Sequence, residues 1–128
     1  MELVWVVVGL VLVEYMAIAL ATGRARGRYE VPAPATTGHP LFERHYRVQQ
    51  NTVEQLVVFL PALLLFAVTV SAPIAALLGL VFAVGRALYA RAYVADPARR
   101  GTGFVIGGVA TAILVVGGLL GALARALF

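Results

Sequence analysis

Four long apolar stretches constrain the fold of this chain more than any other feature. We assign them to helices at about residues 2–22, 41–70, 73–95 and 104–127. A helix needs roughly 20 residues to cross a bilayer, and each stretch is long enough. Ser71 and Pro73 separate the second stretch from the third, and Asp96 with Pro97 ends the third, because the residue before a proline disfavours helix. The sequence therefore predicts an all-α, integral membrane four-helix bundle, with residues 1–128 as a single membrane domain.

The composition agrees with a membrane location. Of the 128 residues, 62% are hydrophobic and 12% are charged, whereas soluble domains average about 45–50% and about 25%. All ten basic residues are arginines, most of them at the ends of apolar stretches, so the net charge of +4 indicates membrane topology and an anionic ligand rather than nucleic acid. The chain has no cysteine, which excludes disulfides and a cysteine nucleophile. His39 and His45 have no third ligand in pattern, so we expect no metal site.

The arginines also predict the orientation in the membrane, since short cytoplasmic loops collect Lys and Arg. Eight of them lie in or beside the first and third connections: Arg24, Arg26, Arg28, Arg44, Arg47, Arg91, Arg99 and Arg100. On the opposite side there is only Arg125. We therefore expect a multi-pass protein whose loops one and three face the cytoplasm.

A polar stripe leads into the second apolar stretch. Arg44, Arg47, Asn51 and Glu54 are separated by 3, 4 and 3 residues, a spacing that puts them on one helix face. Gln50 lies at the margin of this face. A plain membrane anchor has no use for such a face, so we interpret it as part of a site.

A second polar stripe occupies the third helix. Arg86, Tyr89 and Tyr93 are separated by 3 and 4 residues, and Arg100 follows just beyond the helix end. Ionisable groups at membrane depth cost at least about 2.5–3.5 kcal/mol each and usually pair inside a bundle, which makes Glu54 the expected partner of Arg47 or Arg86. The alternative is that these residues only join helices or extend to the headgroups. Because two stripes converge, we favour a site for a small, multiply anionic ligand.

Two further features are interpreted as structural. Glu14 lies in the middle of the first helix without a basic residue within a turn; we favour a neutral or intersubunit structural role over a place in the site. The glycine pairs 103/107 and 117/121 have the spacing that allows helices to approach closely.

The same residues resemble a known family. The order FERHYRVQQNTVE (42–54), the apolar run with Pro61, the segment GLVFAVGRALYARAY (79–93) and the basic pair that follows it are similar to the MAPEG family of membrane-associated proteins in eicosanoid and glutathione metabolism. The pattern is closest to its microsomal glutathione transferase 3 and leukotriene C4 synthase branch. The similarity covers nearly the whole chain and is strongest over residues 36–100.

The resemblance implies a homotrimer that binds glutathione between neighbouring subunits on the cytoplasmic side. It assigns Arg100 to stabilising the glutathione thiolate. It assigns the following residues to glutathione binding: Arg26, Arg47, Gln49, Asn51, Glu54, Arg86, Tyr89 and Tyr93. Gly27 departs from the family pattern, which has a second basic residue there, and Arg28 is the nearest arginine that could replace it.

The resemblance and the residue chemistry together suggest a membrane glutathione transferase. Glutathione would be a co-substrate rather than a tightly bound cofactor, and its thiolate would attack a hydrophobic or lipid-derived electrophile arriving from the membrane lipid. Reduction of lipid hydroperoxides is a related activity of the resembled family. The alternative hypothesis is a non-enzymatic lipid-binding or scaffold protein of the same family. The Arg99–Arg100 pair favours the enzyme, while Gly27 weighs against a second catalytic arginine.

Overall fold

The computed structural model describes residues 1–128 as four long helices, which confirms the all-α prediction. They are α1 (Glu2–Arg28), α2 (Pro40–Thr69), α3 (Ala72–Ala95) and α4 (Gly101–Leu127), with one 3₁₀ turn at Pro97–Arg99. Every helix is long and apolar enough to cross a membrane. At 1.5 Å per residue, the shortest of them spans about 36 Å, which exceeds the roughly 30 Å hydrocarbon core of a bilayer.

The helices end later, or begin earlier, than the apolar pattern predicts. The first was expected to end near residue 22, but α1 continues to Arg28, and α4 begins at Gly101 rather than near residue 104. Hydropathy detects only the part of a helix that lies in hydrocarbon. The helical hydrogen bonds continue into the headgroup region, where arginine side chains extend toward water.

Polar side chains cap the helices at the predicted breaks. The Ser71 hydroxyl accepts from the backbone N–H of Ile74 at 3.4 Å. The Asp96 carboxylate accepts from the backbone N–H of Ala98 at 3.1 Å. At the start of α2, His39 Nδ1 accepts from the N–H of Leu41 at 3.2 Å. These side chains satisfy N–H groups that the first turn of a helix leaves without a partner.

One apolar core holds the four helices together. Phe59 of α2 stacks on Phe82 of α3 with ring centroids 3.7 Å apart, and Val7 of α1, Leu63 of α2 and Leu114 of α4 complete the same buried cluster. Many large apolar side chains around the bundle are nevertheless exposed. A surface of this kind is covered by lipid in a membrane protein.

The helices α3 and α4 approach most closely at glycines. A Cβ atom built on Gly103 would lie against the backbone N of Tyr89 and 2.7 Å from the carbonyl oxygen of Gly85. Farther along α4, a Cβ on Gly117 would lie 2.5 Å from the Phe66 ring, and one on Gly121 2.9 Å from the Thr69 hydroxyl. The predicted packing role of these glycines is confirmed.

Candidate functional site

A cleft of about 630 Å³ opens where the polar stripes of α2 and α3 meet the start of α4. Its lining residues are Arg47, Asn51, Tyr89, Tyr93, Ala98, Arg100, Gly101, Phe104 and Val105. Five of these residues belong to the sites predicted from the sequence. They come from α2, from α3 and from the connection that follows α3. The convergence of the stripes is therefore confirmed within a single chain.

Aromatic rings form one wall of the cleft. The Tyr89 and Tyr93 rings lie 5.6 Å apart at a tilt of 39°, and the Phe104 ring lies 6.2 Å from that of Tyr89. Tilted rings at these separations are in favourable contact. Phe104 was missed by sequence reasoning. Its only signal is its position four residues after Arg100, which places both on one face of the helix start.

Arg86 lies behind the cleft and organises its floor. The side chain is 2% exposed, and Nη2 donates to Asn51 Oδ1 at 2.8 Å and to Thr52 Oγ1 at 3.1 Å. Its guanidinium carbon lies 4.2 Å from the centroid of the Tyr89 ring. Arg86 thus contacts Asn51 of the α2 stripe and Tyr89 of the α3 stripe. Because the Asn51 side-chain oxygen accepts from Arg86, the amide N–H groups of Asn51 are the ones free to donate to a ligand.

The sequence did not indicate Thr52 as part of this arrangement. Its hydroxyl donates to the carbonyl oxygen of Val48 at 2.7 Å while accepting from Arg86. A threonine one residue after the stripe resembles any buried helix residue, so only the tertiary contact reveals its role. The Nε atom of Arg86 is buried without a hydrogen-bond partner.

The expected ion pair forms between Arg47 and Glu54, at 3.4 Å, while Arg86 binds Asn51 and Thr52 instead of Glu54. Both side chains of the pair are about half exposed, at 52% and 55%. Exposed pairs contribute about 0–1 kcal/mol to stability. Arg47 and Glu54 are therefore accessible to a ligand at little cost to the fold.

Four of the predicted binding residues do not line the cleft. Glu54 lies at its edge and Arg86 behind it, whereas Arg26 and Gln49 lie apart from it. Arg26 borders a separate cavity near loop one, where its Nη1 donates to the carbonyl oxygens of Val31 and Ala35 at 3.3 and 2.7 Å. Its guanidinium also lies 4.7 Å from the Phe42 ring centroid. Gln49 is half-buried on α2 and does not line the cleft.

The cleft carries an excess of positive charge. Arg47 and Arg100 line it and no carboxylate does; Glu54 pairs with Arg47 at its edge. Arg100 is exposed, and its Nη1 donates only to the carbonyl oxygen of Pro97, at 3.0 Å. A guanidinium has five N–H donors, so most of those on Arg100 are available to an anion.

Comparison with known proteins shows the family to which the chain belongs. A model of the MAPEG family matches residues 3–120. An uncharacterised protein of Synechocystis is 47% identical over 93% of this chain and 88% of its own length. Human microsomal glutathione S-transferase 2 is 41% identical over 80% of this chain and 70% of its own. Bovine leukotriene C4 synthase is 35% identical over 72% of this chain and 60% of its own length.

The family match includes most of each of the four helices and every residue of the cleft. The similarity expected from residues 42–54 and 79–93 is confirmed. This four-helix membrane protein therefore belongs to the MAPEG family.

Proposed function

We propose that this protein is a membrane glutathione transferase that conjugates the glutathione thiolate to a hydrophobic electrophile. The observation that carries the proposal is the cleft in which Arg47, Asn51, Tyr89, Tyr93 and Arg100 converge. Relatives whose names describe glutathione S-transferases align with most of the chain, which supports the same substrate class.

The side chains of the cleft suit the groups of glutathione one by one. The tripeptide has two carboxylates, an ammonium group, two amides and a thiol. Arginines bind carboxylates with two parallel hydrogen bonds, and Glu54 offers a carboxylate for the ammonium group. Asn51 has free N–H groups for an amide carbonyl, because Arg86 occupies its oxygen.

Arg100 is the residue that we assign to the thiol. A free thiol has a pKa of about 8.5, and its thiolate is the nucleophile. A permanently protonated guanidinium favours the thiolate but cannot accept the proton, which passes to water. The sulfur then forms a bond to the electrophilic carbon, and the displaced electron pair goes to the leaving group or to the adjacent atom of an activated double bond.

The same thiolate can reduce a lipid hydroperoxide. The sulfur attacks the terminal peroxide oxygen and the O–O bond breaks, which gives glutathione sulfenic acid and a lipid alkoxide that takes a proton from water to form the alcohol. A second glutathione then gives glutathione disulfide and water. A hydrophobic substrate for either reaction can arrive through the bilayer, because the helices beside the cleft expose apolar side chains such as Val105.

A homotrimer would explain how Arg26 takes part. Within one chain Arg26 and the cleft belong to different cavities. In a symmetric assembly, α1 of one copy can approach the cleft of the next, and Arg26 would then complete the site from outside. We therefore propose that glutathione binds between subunits.

Removal of the Glu54 carboxylate tests the binding of glutathione. We expect Glu54→Gln to raise the dissociation constant of glutathione about tenfold, because a charge-assisted hydrogen bond contributes about 1.5 kcal/mol. The melting temperature should hardly change, since Glu54 is exposed. Isothermal titration calorimetry of the detergent-solubilised protein measures the affinity.

Glu2→Gln is the matched control, because Glu2 is an exposed acidic residue at the start of α1, far along the chain from the cleft. Its affinity for glutathione should equal that of the wild type. Wild-type protein that shows neither saturable glutathione binding nor conjugation of a model electrophile would contradict the proposed enzyme and favour the lipid-binding alternative.

From the distribution of the arginines we propose that loops one and three, and with them the cleft, face the cytoplasm. Single cysteines test this orientation, since the chain has none. Thr37 in loop one and Val70 between α2 and α3 are both exposed. We expect a membrane-impermeant maleimide to modify the Val70→Cys variant in intact cells, and the Thr37→Cys variant only after the cells are permeabilised. The reverse labelling would place the cleft on the outer side.

A further inference from the structure

A second groove lies between α1 and α3, apart from the cleft. One part is a cavity of about 340 Å³ whose lining residues are Ile18, Ala21, His45, Val48, Ala90, Arg91 and Val94. The other part, of about 230 Å³, shares Ala21 and His45 with the first and adds Arg24 and Arg28. We call the two together the α1–α3 groove. It has no residue in common with the cleft.

The polar end of the α1–α3 groove has a positive charge that the protein does not neutralise. Arg24, Arg28 and Arg91 border it, and no carboxylate lines either part. None of these arginines makes an ion pair within 4.0 Å. The Arg28 guanidinium lies 5.6 Å from the centroid of the Tyr29 ring, which is the one cation–π contact among the three arginines. Three uncompensated guanidinium groups around one groove favour an anion.

The rest of the α1–α3 groove is apolar. Ile18, Val48 and Ala90 line it. Arg28 lies in the last turn of α1 and Arg24 in the turn before it, while Arg91 lies one turn before the end of α3. A cationic rim at the membrane surface above an apolar channel suits a ligand with an anionic head and a hydrocarbon tail. Basic pockets between membrane helices bind the head groups of anionic lipids in this way.

The face of α2 that borders the α1–α3 groove points away from the exposed face of the same helix. At 100° per residue, Val57 points about 180° away from Val48, and Val57 is 70% exposed whereas Val48 is buried. A second copy that covers the exposed face of α2 around Val57 would therefore not fill the groove behind Val48.

We propose that the α1–α3 groove binds an anionic phospholipid, with its phosphate between Arg24, Arg28 and Arg91 and an acyl chain along Ile18 and Val48. This site shares no residue with the cleft to which we assign glutathione. The apolar channel favours a lipid over a free phosphate ion, because an inorganic ion has no hydrocarbon chain to place in it.

Native mass spectrometry of delipidated protein in detergent tests the proposal. We expect phosphatidylglycerol to bind more tightly than phosphatidylcholine with the same acyl chains. Each arginine near a membrane surface contributes about fivefold to the binding of an anionic lipid, so Arg24→Gln together with Arg91→Gln should weaken phosphatidylglycerol binding about 25-fold. The double substitution to Lys should retain most of the affinity, because the charge remains.

The control is Arg125→Gln, an exposed arginine in the last turn of α4, which should leave lipid binding unchanged. Equal binding of the two lipids, or an equal loss in the control, would overturn the proposal. Displacement of phosphatidylglycerol by millimolar inorganic phosphate alone would identify a free-anion site instead.

A changed subunit number in the variant with both Arg24 and Arg91 replaced, with lipid binding intact, would identify an interface between copies. Circular dichroism confirms that each variant is folded.

Discussion

Alanine at Gly103 is expected to destabilise the protein by about 3 kcal/mol, at the upper end of the usual cost of overpacking. The added Cβ would collide with the backbone N of Tyr89, 2.8 Å from its Cα and 2.7 Å from the carbonyl oxygen of Gly85. These are backbone atoms of α3 and cannot rotate away, so the two helices must separate. Thermal unfolding in detergent, followed by circular dichroism, measures the loss.

Gly108→Ala on the same helix is the matched control. A Cβ at Gly108 meets nothing within 4 Å, so the substitution should be neutral, or stabilising by up to about 1 kcal/mol because alanine favours helix more than glycine does. A Gly103→Ala variant that unfolds at the wild-type temperature would contradict the close contact between α3 and α4.

The same substitution should also weaken ligand binding. Tyr89 of α3 and Phe104 of α4 lie on either side of this contact and both line the cleft. Separation of the helices would move the two rings apart and widen the aromatic wall. Glutathione affinity measured below the melting temperature should therefore fall in Gly103→Ala and stay constant in Gly108→Ala.

Replacement of Arg100 by alanine is expected to lower the transferase rate constant about 10- to 100-fold. A hydrogen bond from a charged donor contributes about 1.5–3 kcal/mol, and the Arg100 guanidinium is the group that we assign to the thiolate. The fold should be unaffected, because the side chain is exposed and its only hydrogen bond goes to the carbonyl oxygen of Pro97. Stopped-flow ultraviolet absorbance at the thiolate band measures the anion directly.

Arg99→Ala controls for the loss of one positive charge from the same connection. Arg99 precedes Arg100 but does not line the cleft, so its variant should form the thiolate at the wild-type rate and amplitude. Arg100→Lys should recover part of the signal, since the charge remains but the planar donors are lost. An undiminished thiolate signal in Arg100→Ala would show that another group stabilises the sulfur.

Much of the architecture was predictable from the sequence because bilayer physics leaves few choices. A run such as residues 104–127 has no stable alternative to a membrane helix, since its backbone polar groups must be satisfied within the segment. The spacing of Arg47, Asn51 and Glu54 likewise determines a shared helix face, because helix geometry is local. The apolar pattern could not predict that α1 extends to Arg28, since its last turns lie beyond the hydrophobic part.

The sequence by itself determined four membrane helices and two polar faces, since both follow from periodicity and local order. The resemblance of its motifs indicated the family. Only the tertiary structure decided which polar groups meet. Arg86 bonds to Asn51 and Thr52 across two helices, whereas Arg26 is bound by its own loop and borders another cavity. The physical reason is that each guanidinium donates to the nearest acceptors. Helix packing and the path of the loop determine which acceptors are near, and the local spacing of residues specifies neither the packing nor the path.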